Sequence, residues 1–196
     1  MAFDLADAEE VDTTLRNRMI AVYIGVLAVM LAIAGVGSGN ATKDATARNI
    51  EASNLWSFFQ AKNIRRHETR LQITQFEAML AVQPQMPAEA RQLIETNLDK
   101  LRKDEARYTS EPETGEGTKE LMTRAQEIEK QRDIAMAKDP YFDYGQALLQ
   151  IAIVLASVAI IAGGAALLFL SGIFAIAGIA LTLNGFFLIA VVPFIG

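Results

Sequence analysis

This sequence predicts an all-α membrane protein with three transmembrane helices and a long, coiled-coil-like helical hairpin inserted between the first two. Three observations lead there. The final 53 residues, Tyr144 to Gly196, carry no charged side chain. A second apolar run covers Met19 to Gly39. Between them, Asn40 to Asp143 holds 16 of the 18 Lys and Arg residues and 18 of the 23 Asp and Glu residues. A helix rises about 1.5 Å per residue, so fifty apolar residues would run roughly 75 Å. A hydrocarbon core is only about 30 Å thick. The apolar end therefore suits two crossings, and the upstream run supplies a third.

The expected order is an acidic N-terminal tail (1–18), a first span (19–39), an extramembrane helical region (40–143) and a transmembrane hairpin (144–196). The tail holds Asp4, Asp7, Glu9, Glu10 and Asp12 against only Arg16 and Arg18. That is unlike the basic start of a secretory signal. Arg16 and Arg18 stand at the mouth of span one, where long cationic side chains reach headgroups. Tyr141, Phe142 and Tyr144 form an aromatic cluster at the entry to span two. Gly163-Gly164 predicts the turn between span two (144–163) and span three (166–191), because paired glycines accept turn conformations closed to other residues. Spans joined so tightly are antiparallel neighbours.

Each span carries small residues at steps of three and four. Span one has Ala21, Gly25, Ala28, Ala32, Gly35 and Gly39. Span two has Ala152, Ala156, Ala159 and Gly163, and span three has Ser171, Ala175, Gly178, Thr182 and Gly185. Such steps keep one face of a left-handed helix pair in register, and small side chains let backbones approach in lipid. These rows are expected as packing seams, within one copy or between copies. Gln150 and Asn184 are the intramembrane polar candidates. An amide can bond a neighbouring helix, and an oligomer could instead use both as pore lining.

No proline or glycine falls between Ala41 and Gln83, so span one should leave the membrane as a continuous helix. Pro84 and Pro87 break it. A second helix is expected from Pro87 to Tyr108, with Ala90, Ile94, Leu101 and Tyr108 on one stripe. The acidic stretch Ser110 to Gly117, with Pro112, Gly115 and Gly117, reads as a loop. A third helix should run from Thr118 to Lys138, with Leu121, Ala125, Ile128 and Ala135 inward, and end at Asp139-Pro140. The second and third helices can form one interrupted return limb beside the first. The rival is a compact bundle in which the first limb bends near Trp56. Trp56, Phe58 and Phe59 are candidates for core or an oligomer interface.

Chemistry is hard to place on this sequence. There is no cysteine, which excludes disulfides, thiolate metal sites and a cysteine nucleophile. His67, the one histidine, stands beside Arg65, Arg66 and Arg70 and reads as a solvated face. Glu127 and Glu129 are two apart on a helix and point in different directions. Gly115-Glu-Gly117 lacks the Gly-Lys-Ser/Thr ending of a phosphate loop. No catalytic, cofactor or metal residue is expected. The near-balanced charge of the middle region argues against nucleic acid.

Several stretches are familiar together. They are Arg16-Asn-Arg-Met-Ile-Ala-Val-Tyr23, Gly39-Asn-Ala-Thr-Lys-Asp44, Glu51-Ala-Ser-Asn-Leu-Trp-Ser-Phe-Phe-Gln-Ala-Lys62, Leu149-Gln-Ile-Ala-Ile-Val-Leu-Ala156 and Leu183-Asn-Gly-Phe-Phe187. The chain resembles an uncharacterised family of bacterial membrane proteins, a domain of unknown function. That resemblance implies a bacterial inner-membrane location and supplies no activity, cofactor or site residue. The functional expectation is a non-enzymatic membrane scaffold or accessory subunit that self-associates. The alternative is an oligomeric channel or transport component. Expected partners are the lipid bilayer and further copies or subunits. Arg16 and Arg18 favour a cytoplasmic N-terminus.

Overall fold

A computed structural model describes residues 2–193, with side chains from Leu15 onward. Met1, residues 194–196 and the acidic side chains expected in the N-terminal tail lie outside the described residues. The described chain is all-α and has four helices, α1 (Ala2–Val82), α2 (Ala88–Thr109), α3 (Thr118–Ala162) and α4 (Ala165–Phe187). Three are long and apolar enough to cross a membrane, over Leu15–Val82 (68 residues), Thr118–Ala162 (45 residues) and Ala165–Phe187 (23 residues).

The length of α1 follows from the sequence. The first proline is Pro84, so nothing upstream removes a backbone donor or blocks a carbonyl. The glycines of α1 fall in the apolar run, and a backbone placed in lipid must bond within its own helix. The helix passes Trp56 without a break. α2 starts one residue after the expected Pro87, with Glu89 in its first turn and Arg107 in its last, both favourable to the helix dipole.

α3 departs from the expected boundary. The sequence reading ends this helix at Asp139-Pro140, whereas α3 continues through Pro140 to Ala162. Pro140 has no N–H to offer the carbonyl of Met136, so one helical bond is lost there. Packing on the next two residues offsets that loss, since Tyr141 and Phe142 are almost completely buried.

The α3–α4 break lies at the expected glycines. Gly163 takes φ +66, with its N–H on the Ala159 carbonyl at 3.1 Å. α4 stops short of the expected Val191. Leu188 caps it in the left-handed region at φ 47, with its N–H on the Asn184 carbonyl at 2.7 Å. A non-glycine residue there costs about 1–2 kcal/mol. Hydrogen bonds from Asn184 to the chain beyond offset it.

The chain forms two compact units. One takes the residues up to Ala45 and those from Asp133 onward, and the other is Thr46–Arg132. In the first, Leu27 and Ala34 of α1 pack with Leu149 and Ala152 of α3 and Ala175 of α4. In the second, Ala52 and Leu55 of α1 pack with Leu121, Ala125 and Ile128 of α3. There Leu98 is the fully buried residue of α2, and its expected stripe, Ala90, Ile94, Leu101 and Tyr108, is half-buried.

Candidate functional site

In the apolar unit the backbones of α3 and α4 approach closely. A Cβ on Gly178 would lie 2.9 Å from Leu149 Cγ and 3.0 Å from the Gly145 carbonyl. A Cβ on Gly145 would meet Thr182 Oγ1 at 2.7 Å. Real side chains do not fit those gaps, so the two backbones touch, as glycine permits in lipid. Ser171, Ala175, Gly178, Thr182 and Gly185 are all buried, as are Ala152, Ala156 and Ala159, while Gly163 is exposed at the turn.

Span one is arranged otherwise. Ala21, Gly25, Ala28, Ala32 and Gly39 are exposed, and Gly35 is half-buried beside Gln146. The row of α1 that enters the core is Ile20, Leu27, Ala34 and Ala41, at steps of seven. Gly37 is buried with it, and the Phe142 ring occupies the place of its missing side chain. Two faces of α1 thus carry small residues, and only one meets the protein's own helices.

Polar atoms tie these helices at three levels. Ser171 Oγ donates to the Ala152 carbonyl at 2.7 Å and lies 3.1 Å from the Tyr23 hydroxyl. A serine has one proton, so with it on Ala152 the tyrosine is the donor. One buried hydroxyl therefore joins α1, α3 and α4.

At a second level Ser38 Oγ reaches Asp139 Oδ1 at 3.0 Å and Asp143 Oδ1 at 3.3 Å. Thr42 Oγ1 lies 3.2 Å from the same Asp139 oxygen and 3.0 Å from the Ser38 carbonyl. Asp139 and Asp143 are four apart and repel each other on one helix face. The α1 hydroxyls answer that negative charge.

The third level holds the segment after α4. Asn184 Nδ2 donates to the Ala190 carbonyl at 2.7 Å, and the Ala190 N–H donates to Asn184 Oδ1 at 2.9 Å. The Tyr141 hydroxyl accepts from the Val192 N–H at 3.0 Å and donates to the Ala190 carbonyl at 3.3 Å. Asn184 is thus buried and bonded within its own chain. Gln150 is on an exposed face of α3.

In the unit Thr46–Arg132, Trp56 Nε1 donates to Glu129 at 3.0 Å and its ring meets Phe59 edge-on at 5.4 Å. Trp56 and Phe59 lie against the core, and Phe58 is exposed. Lys62 ends the same stretch and is nearly buried. Its ammonium lies 3.3 Å from Glu116, 3.9 Å from Glu111, and 5.6 Å from each of the Phe58 and Tyr108 ring centres. The acidic loop therefore closes over a cation that two aromatic faces already favour.

The loop is pinned again by Glu120, which accepts from the Ser110 hydroxyl and from the Glu111 N–H at 3.1 Å. The Ser110 bond holds the Glu120 carboxyl below its ordinary range. Arg102 reaches Glu77 at 2.8 Å, and that bond raises the guanidinium further above its usual value. His67 is exposed. Among the described residues no group of three or more His, Asp or Glu is placed to hold a metal ion. These contacts hold the helices in register.

A family model described as a domain of unknown function (DUF4337) matches residues 16–188. The chain belongs to this family. No curated protein and no solved structure matches the chain.

The five familiar stretches all fall inside the DUF4337 match. Several tie residues were missed by sequence reasoning: Ser38, Asp139 and Asp143, Lys62, and Tyr141 as a hydrogen-bonding group. A signal was present for three of them. Asp139 and Asp143 stand one helical turn apart where the apolar run begins, and Lys62 follows three aromatic residues.

Proposed function

We propose that this chain is a non-enzymatic, self-associating scaffold or accessory subunit of a membrane assembly. In this reading residues 40–143 form a coiled-coil-like antiparallel hairpin between spans one and two. The contacts Arg102–Glu77, Trp56–Glu129 and Arg132–Asn49 support it, since partner numbers fall on α1 as they rise through α2 and α3. The observation that carries self-association is the outer row of α1. Ala21, Gly25, Ala28 and Ala32 are exposed, with nothing within 4 Å of the place a Gly25 Cβ would take. The rows on α3 and α4 already pack within one copy. Exposed Gln150 adds an amide that gains from a partner in lipid.

The channel reading has less support, because the Asn184 amide is bonded to Ala190. For location we propose a bacterial inner membrane with the N-terminal side of span one in the cytoplasm, from Arg16 and Arg18. A cysteine at exposed Glu113, probed with an impermeant thiol reagent in intact cells, tests that orientation: labelling supports it and protection reverses it. Mass measurement in mild detergent and in lipid nanodiscs tests the main reading. A monomer in both, with no partner recovered at native levels, would overturn it. Solute flux in liposomes would favour the channel.

A further inference from the structure

The unit Thr46–Arg132 is rich in charge, so lipid does not account for apolar side chains left exposed on it. Among the described residues, the large ones are Ile50, Phe58, Ile64, Leu71, Met79 and Val82 on α1, Leu93 on α2 and Met122 on α3. They concentrate on α1. Ile50, Ile64 and Leu71 are 57%, 58% and 65% exposed, and they share a seven-residue phase with exposed Ser57 and Ala78. Asn54, Ala61, Glu68, Gln75 and Val82, each four residues further on, are exposed as well. Steps of four and three define a left-handed seam.

Leu55, Lys62 and Thr69 stand two residues before Ser57, Ile64 and Leu71, and all three are buried. Two residues turn a helix by about 200°, so the exposed row is the face opposite the unit's own core. A groove of about 390 Å³, lined by Gln75, Ala78, Met79, Val82 and Gln83, opens at its end.

We propose that this row pairs with the same row of a second copy, helix parallel to helix, with Ile64 on Ile64 and Leu71 on Leu71. The inference rests on the self-association reading and adds its face and register. A seven-residue repeat fits a partner helix with the same repeat, and α1 is such a helix. Two copies inserted in one bilayer by identical spans present this row on the same side of the membrane, which raises its effective concentration. From Ile50 to Val82 the row spans nearly five heptads, with apolar residues at six of its ten positions. At roughly 50 Å by 10 Å, two copies bury on the order of 1,000 Å², at the lower bound for a specific interface. Asn54, Glu68 and Gln75 lower the stability of such a seam, Glu68 most, because it would face its own counterpart.

Since the chain has no cysteine, single cysteines report contacts cleanly. Full-length Ile64→Cys, Leu71→Cys and, as a control on exposed α2, Asp99→Cys are oxidised mildly in membranes. The expected result is disulfide dimers at positions 64 and 71 and none at 99, with differently tagged copies captured together. Ile64→Glu combined with Leu71→Glu should weaken the oligomer in nanodiscs to what the span-one row alone holds, with melting unchanged, since both positions are exposed. If that variant melts early, the cysteine pattern alone decides. An oligomeric wild type that does not cross-link at 64 or 71 overturns this seam and leaves self-association standing. A monomeric wild type overturns both. Equal cross-linking at 99, or cross-links only to a protein of different mass, overturns the seam.

Discussion

Phe142 fills the space that Gly37 leaves open. Its ring lies where a Gly37 Cβ would be built, and a Cβ on Gly185 would meet the same ring at 2.9 Å. Phe186 closes over it edge-on, with ring centres 4.8 Å apart. One aromatic side chain on α3 is therefore seated against a glycine on α1 and another on α4. Gly37→Ala should destabilise the apolar unit by about 1–3 kcal/mol, the usual cost of overpacking. Thermal or denaturant unfolding in detergent measures it. An unchanged midpoint would mean that the ring moves aside freely.

Gly178 and Gly25 give opposite expectations for one substitution. Gly178→Leu must part α3 from α4, since Leu149 and the Gly145 backbone occupy the space. Gly25→Leu meets open space within one copy. Leucine is favourable in lipid, so both variants should insert. Melting should fall for Gly178→Leu by several degrees or more. For Gly25→Leu melting should hold while the oligomer weakens. If both variants match the wild type in melting and in size, these rows are only a background of small residues.

The parts of this fold that are local in sequence were legible. A run without proline up to Pro84 gave α1, and Gly163-Gly164 gave the α3–α4 turn. Pro140 misled because its local effect is to end a helix, whereas burial of Tyr141 and Phe142 by distant residues carries the helix through. Which face of span one packs within one copy was not legible for a related reason. Ala21-Gly25-Ala28-Ala32 and Leu27-Ala34-Gly37 are both plausible seams, and only the ring of Phe142, more than a hundred residues away, selects the second. Lys62 and its acidic loop present the same difficulty. Each is visible alone, but their meeting depends on how α2 returns along α1.

Lys62 offers a test of that loop. Its side chain is 9% exposed, whereas Glu116 is 51% exposed and Glu111 22%. The pair is too open for the full effect of breaking a buried ion pair, so Lys62→Met should cost about 1–2 kcal/mol, near that of a charge-assisted hydrogen bond. Hydrogen exchange should rise across residues 110–117 before other parts of the unit. Glu116→Gln should do less, because water already screens that carboxylate. Exchange that stays unchanged in Lys62→Met would mean the loop is held by Glu120 alone.

Tyr141→Phe removes one hydroxyl that serves both Ala190 and Val192. The loss of two hydrogen bonds should cost about 1–2 kcal/mol. It should act locally, since Asn184 still holds Ala190 from the other side. The check is exchange of the Val192 amide, expected to speed up while the α3 and α4 amides keep their protection. Asn184→Ala should do more, because it also removes the support for left-handed Leu188.

Acid should loosen the 110–117 loop through Glu120. Its carboxyl is held below the ordinary value of 4.5 by the Ser110 hydroxyl and the Glu111 N–H. A carboxyl with a lowered value in the folded state contributes stability above its unfolded value, and loses it as pH falls through the folded one. The contribution should therefore be complete at neutral pH and decline below about 4.5. Glu120 sits at the accessible start of α3, so the effect should be modest and confined to the loop. Hydrogen exchange of residues 110–117, corrected for the intrinsic pH dependence, should show extra opening in that acid window for the wild type. In Glu120→Gln the loop should already be looser at neutral pH, and its acid step should be smaller, leaving what the Glu111 and Glu116 contacts with Lys62 contribute. A wild-type loop with the same corrected exchange at neutral and acid pH would show that Glu120 does not pin it.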